Sequence, residues 1–366
     1  MTRGIGRGAI ISVALTAGLI GWIPGAHAAA GGYSGAVYTL TNSVAGNQIL
    51  VFDRTAGGRL AAAGGFTTEG TGTGAGLGSQ GALTVSTDGK WLFAVNAGSN
   101  TISSFQVGQS GVVLKDVVPS GGVQPISVTV HGNLLYTVNA GAGSNIAGFT
   151  VSSGGLLTPI AGSIQPLSTT NPGPADIQFS PDGQTLVVTE KGTNAIDSYL
   201  VGSSGIATPL GSITSAASTP FGFDFDPSGH LIVSDAGVGA LSSYAEGSLG
   251  TLTLVSQVAD FQAAPCWVAV SKNGKYVYTA NAHNGTISGY GIAKDGSLTL
   301  LMSDGLTASP GGTPLDLSFT NNGQYLYLLN AGSSAIQGFS IAADGSLTQL
   351  ASSVGVPASA AGIVAS

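Results

Sequence analysis

Charge is what this 366-residue chain has least of: 10 Lys or Arg and 17 Asp or Glu make up 7% of it, against about 25% in an average soluble protein. A net charge of -7 and a pI near 4.8 exclude nucleic acid as a partner, because that binding needs a basic footprint. Cysteine is almost missing. Cys266 stands alone, which rules out an intrachain disulfide and any zinc spacing of Cys and His. No apolar run of about 18 residues survives beyond the N-terminus, so a mean hydropathy of +0.36 does not mark a membrane span. The 59 glycines have no period of three, which excludes collagen, and 43% hydrophobic residues exclude a disordered chain.

The N-terminus reads as an export signal over residues 1–28. Arg3 and Arg7 form a basic start, Ala9 to Ile23 is largely apolar, and Ala26-His27-Ala28 is an A-x-A cleavage site. Gly18, Gly21 and Pro24 favour cleavage over a membrane anchor. A mature chain from Ala29 keeps 8 basic residues against 17 acidic, with no membrane span, and belongs in the periplasm or outside the cell.

One pattern then fills the chain. Phe93 to Phe105 reads FAVNAGSNTISSF, Tyr136 to Phe149 reads YTVNAGAGSNIAGF, Tyr278 to Tyr290 reads YTANAHNGTISGY and Tyr327 to Phe339 reads YLLNAGSSAIQGF. Weaker copies lie at Val187 to Tyr199 and Ile232 to Tyr244, and a looser one opens the chain at Tyr38. The register residue is Asn42, Asn96, Asn139, Glu190, Asp235, Asn281 and Asn330, at intervals of 43 to 54 residues. A period of about 40–50 with four short apolar-alternating runs is the mark of a β-propeller blade. The reading is therefore all-β: a seven-bladed propeller of four-stranded antiparallel blades over residues 29–366. Asp88-Gly89, Asp182-Gly183, Asn273-Gly274 and Asn322-Gly323 supply its hairpin turns. Ala361 to Ser366 matches the opening strand of a blade and then the chain stops, so this strand is expected to complete the N-terminal blade and close the ring.

On these repeats the chain resembles the secreted lactonase-family propellers built from YVTN-type repeats. The resemblance implies an active site that includes a Glu at the register position of the fourth blade, which is Glu190 here. It also implies Arg-His just after the Gly-Pro of that blade, where Ala175-Asp176 stands, and a His at the entry to the third blade, where Gln124-Pro125-Ile126-Ser127 stands. Two of the expected base or electrophile positions are thus missing. Lactone hydrolysis needs a base for water and a positive group for the oxyanion; Glu190 and Lys191 are the candidates.

The residues themselves place a site where strand one begins. Pro125, Pro174, Pro220, Pro265 and Pro314 mark those entries. Alternation from there gives an apolar face that packs on the next blade and a polar face that borders the channel. The mouth would carry Asp176, Asp316, Trp267 and Ser127, flanked by Glu190, Asp235, Asn281 and His283. This set is acidic and poor in cations, which disfavours an anionic substrate. It suits a small neutral or cationic ligand, such as a sugar or lactone stacked on Trp267, or a calcium or magnesium ion held by carboxylates. Each residue also has a structural reading: the aspartates as acceptors for backbone N–H groups at blade junctions, the Asn residues as turn formers, Trp267 as inter-blade packing and His283 as a solvated loop residue. The run Asp224 to Asp235 mimics a calcium loop, yet the repeat makes it an extended hairpin. The glycine-rich run Gly70 to Gly81 reads as a flexible loop between the first two blades. Three functions stay open for a monomeric exported propeller: a binding or interaction module with an acidic mouth, a hydrolase of a neutral lactone using Glu190, or a surface protein with a purely structural role.

Overall fold

The computed structural model describes residues 33–366 apart from 110, 170, 248 and 249; the expected export signal lies outside them. Seven antiparallel sheets form a ring, and the described residues include no α-helix. The first blade has the strand order Ala361–Ala365, Tyr33–Leu40, Gln48–Thr55, Leu60–Thr67. The second starts with the short strand Leu83–Val85, the third with Pro125–His131 and the fourth with Pro174–Phe179. Pro220–Phe225, Pro265–Val270 and Pro314–Phe319 open the fifth to seventh. Proline suits this place, because the first residue of a strand at a sheet edge has no ladder bond to lose.

Closure follows the sequence expectation. Ala365, Val364, Ile363 and Ala361 pair with Val37, Tyr38, Thr39 and Leu40. Arg54, 3% exposed, reinforces the seam: its guanidinium donates to the carbonyls of Ser34 at 2.9 Å and Ser366 at 3.0 Å.

The core lies between blades rather than within one. Leu92, Phe93, Val128 and Leu135 belong to one buried cluster across the second and third blades, and Ile177, Tyr136 and Tyr199 to the next. The tyrosine of the second strand also hooks the following blade. Tyr136, Tyr278 and Tyr327 each donate at 2.6 Å to a hairpin carbonyl, that of Gly205, Gly345 and Gly58 respectively. Gly205 sits at φ +77, and a Cβ there would lie 2.7 Å from Leu134. Glycine is therefore what lets this turn approach closely enough to receive the hook.

Candidate functional site at the channel mouth

Strand-one side chains of one blade accept backbone N–H bonds from strand one of the next. Ser127 Oγ accepts from Ile177 at 3.3 Å, Thr129 Oγ1 from Phe179 at 3.3 Å and Asp176 Oδ2 from Phe223 at 3.3 Å. Asp224 Oδ2 accepts from Val270 at 2.8 Å and Ser318 Oγ from Ala365 at 3.0 Å. The innermost strands do not pair with each other through their backbones, so these side chains satisfy N–H groups that would otherwise be buried alone. The polar row that borders the channel is thus also the clasp between blades.

Asp176 is fully buried. It further accepts from Ser127 Oγ and Gln178 Nε2, each at 3.0 Å. Asp316, 4% exposed, accepts from the amides of Leu317 and Gly81. Burial pushes both carboxyls up to about 7, with hydrogen bonds opposing the rise, and the Asp176 charge adds to the rise at Asp316. At neutral pH this ring therefore holds protons, and the channel is less negative than a count of its aspartates implies.

The mouth itself is crossed by the glycine-rich run. The connection from the first blade to the second is fifteen residues long (68–82), whereas four other junctions take five (120–124, 215–219, 260–264 and 356–360). The extra length forms a strap. Its base is held by Asn42, whose Nδ2 donates to Ala75 O at 2.6 Å and Thr73 Oγ1 at 3.0 Å. Residues 74–76 and Gly78 are exposed. Ser79 and Gln80 then plunge into the channel, each 7% exposed. Ser79 Oγ donates to Ile126 O at 2.8 Å, and Gln80 N donates to Ala175 O at 2.9 Å. The Gln80 carboxamide donates to Phe223 O and Val268 O at 2.8 and 3.0 Å and accepts from Val268 N at 2.8 Å. Gly222 makes room for it, since a Cβ there would lie 2.1 Å from Gln80 Oε1. The loop expected to be flexible is in fact a plug bonded to several blades.

Gln80 divides the channel. Below it lies a cavity of about 210 Å³ lined by Thr129, Asp176, Gln178, Asp224, Lys272 and Ser318. At the mouth, beside the strap, lies a second of about 250 Å³. Trp267, Asp316, Leu315, Leu329 and Leu77 line it, with the glycine backbone of the strap. Trp267 Nε1 donates to Ser79 O at 2.8 Å, and its ring packs at 5.0 Å on Phe221. Lys191 Nζ lies 4.6 Å from the Phe221 ring centre and donates to Gly78 O.

Of the residues expected at the mouth, Trp267 and Asp316 share this pocket, while Asp176 and Asp316 share the lower cavity. Ser127 is fully buried on Asp176. Glu190, Asp235 and Asn281 are also fully buried, but each at the start of its blade's second hairpin. Glu190 accepts from Ser168 N at 3.0 Å, from Ser168 Oγ and from Thr193 Oγ1. Asp235 accepts from Ser215 and Ser242 hydroxyls, and Asn281 donates to Thr286 and Ser288. His283 is exposed on the rim. Gln80, Ser79 and Phe221 were not singled out in the sequence. The signal that could have found the first two was the length of the connection that carries them. Among the described residues, no three His, Cys, Asp or Glu side chains come together as a metal site.

This is the architecture of a seven-bladed propeller with a strapped, pocketed mouth. The chain belongs to the lactonase family of seven-bladed β-propellers, whose model matches residues 40–166, 160–236 and 233–304. No curated protein matches it. Among solved structures it is similar to a candidate 6-phosphogluconolactonase of Bacteroides fragilis, with 21% identity and a TM-score of 0.74 over 91% of this chain and 98% of that one. A candidate 6-phosphogluconolactonase of Bacteroides uniformis gives 20%, 0.77, 91% and 99% in the same order. The periplasmic gluconolactonase of Pseudomonas aeruginosa gives 16%, 0.70, 90% and 99%. At these identities the likeness establishes the fold.

Proposed function

We propose that this protein is an exported binding member of the lactonase propeller family, which takes a small neutral ligand, a sugar or a lactone, into the mouth pocket. The observation that carries this reading is the convergence of Trp267 and Asp316 on one pocket of about 250 Å³ from which Glu190 is absent. An aromatic wall, three leucines and a few polar groups form the usual balance of a small-molecule site. With Asp316 pushed up to about 7, a neutral ligand fits better than a cation. Calcium or magnesium does not fit, because the channel carboxylates are already committed to N–H and O–H donors. Export to the periplasm is part of the proposal and accords with the periplasmic relative.

A second reading is lactone hydrolysis with Glu190 as base, favoured by the family and by the names of its relatives. It must contend with a Glu190 whose two oxygens are occupied. Titration of neutral sugars and lactones, read by tryptophan fluorescence, separates the two readings when paired with a lactone turnover assay on Glu190→Gln. Saturable binding lost in Trp267→Ala, without turnover, supports the binding module. Turnover abolished by Glu190→Gln overturns it.

A further inference from the structure

Lys191 differs from every other lysine of the described chain. Lys90, Lys115, Lys272, Lys275 and Lys294 are exposed, and Lys90 pairs with Asp88. Lys191 is half-buried at the mouth. Its Nζ rests against the Phe221 ring, and Gly78 O is the oxygen it is bonded to. The ion pairs among the described residues are Lys90–Asp88 and His230–Asp226, so Lys191 meets no carboxylate there. A ring face stabilises an ammonium less than water does once the site is closed off. Burial accordingly pulls the amine down to about 8. A desolvated lysine of this kind is the form in which an amine acts as a nucleophile. Its neighbours also border the proposed ligand site: Gly78 lines the mouth pocket, and Phe221 packs on Trp267, which lines it too.

We infer that Lys191 is an acyl-acceptor site, modified on Nζ by lactones that enter the mouth. The step balances without a co-reactant. The neutral amine attacks the lactone carbonyl, an N–C bond forms, and the ring C–O bond breaks. The departing alkoxide takes the proton that the amine gives up. The product is the amide of the ring-opened hydroxy acid, heavier than the protein by one intact lactone. Acylation removes the positive charge from Nζ, so the bond to Gly78 O weakens and the exposed part of the strap is released at one of its holds.

The inference rests on the proposed ligand class, and the test keeps the two apart. The full chain is treated at pH 7.5 with limiting acetic anhydride in one arm and with D-glucono-1,5-lactone in the other. Peptide mass spectrometry then compares Lys191 with Lys115 and Lys294. An amine with a value near 8 is neutral in roughly a fifth of molecules at that pH, against about one in a thousand for an ordinary lysine. Lower nucleophilicity offsets part of this, so Lys191 should acylate at least tenfold faster in both arms. Phe221→Leu should bring its rate toward that of Lys294. Uniform labelling in the anhydride arm overturns the claim that Lys191 is activated. Selective labelling by anhydride but not by lactone overturns lactone capture. Neither result touches the fluorescence test of ligand binding.

Discussion

Raising the pH from 5 to 8 should weaken this fold. Asp176 and Asp316 are buried in the channel wall, and burial raises each carboxyl from 3.8 to about 7. A carboxyl whose folded value lies above its unfolded value binds its proton more tightly in the native state. Its contribution is fully present below about pH 3.8, falls as the unfolded carboxyl ionises, and is gone once pH has risen through 7. Between pH 5 and 8 the loss spans about two of the roughly three pH units of that rise, or about 2.7 kcal/mol for each group. The Asp176 charge contributes to the rise at Asp316, and a buried carboxylate relaxes and draws in water, so about half of the total, or about 2.7 kcal/mol, is the effect to expect. With an unfolding entropy of roughly 2.1 cal/mol/K per residue over roughly 330 residues, that is a Tm about 4 °C higher at pH 5 than at pH 8. Calorimetry at constant ionic strength measures it. Asp316→Asn should remove close to half of the difference, because an amide has no proton to lose in this range. A Tm that is flat or rises toward pH 8 refutes the reasoning, since it would mean that both carboxylates are ionised in the folded state at no cost.

Deleting Ala361 to Ser366 removes the first strand of the first blade and the carbonyl that Arg54 holds. It should leave little folded protein at 37 °C, as soluble yield and far-UV CD would show. Gln80→Ala removes three hydrogen bonds at the centre of the channel and leaves buried partners on Phe223 and Val268. It should cost about 2–4 kcal/mol in urea denaturation. Tyr278→Phe removes one buried hydrogen bond, that to Gly345, and should cost about 1 kcal/mol.

The fold was legible because each blade repeats the same local solution. The proline entry, the alternating strands and the Asp-Gly or Asn-Gly turns recur at one period, and the unmatched strand at the C-terminus announced the seam. The site was less legible because it depends on a departure from the repeat. A propeller sequence shows which side chains share the polar face of strand one, and two of them, Asp176 and Asp316, line the lower cavity. It also allows the aspartates to be read as acceptors for backbone N–H groups at blade junctions, as Asp176 and Asp224 are, but not which N–H group each one answers. That demand arises only when strand-one edges from two blades come together across the ring. The strap is a single-copy segment, so no periodicity could mark Gln80, and its glycines describe a permissive backbone without saying where the chain runs.

Glu190 shows how a departure from the repeat can mislead and still be informative. In the second blade Asn96 Nδ2 bonds Ser103 seven residues on, at 2.8 Å, and in the sixth Asn281 bonds Ser288 in the same way at 2.8 Å. In the seventh Asn330 bonds Gln337, and in the fifth Asp235 accepts from Ser242. The same two positions of the fourth blade hold Glu190 and Asp197. Burial and the neighbouring Glu190 push the Asp197 carboxyl well above its ordinary value. The change from Asn to Glu is therefore half of a paired change that keeps a polar link between strands two and three. Glu190 also reaches outward to Ser168, in the connection from the third blade. Asn139 does the same with its amide, which donates to Ser120 O at 3.2 Å, and Asp235 with the hydroxyl of Ser215. The register position thus performs one mechanical task in several blades, tying the arriving connection to the hairpin. In the fourth blade a carboxylate performs that task. For Glu190 to serve as a base as well, it would have to release Ser168 and Thr193, and that cost would be subtracted from the binding free energy, so the Tm rise on binding would be smaller than for a ligand that leaves Glu190 in place.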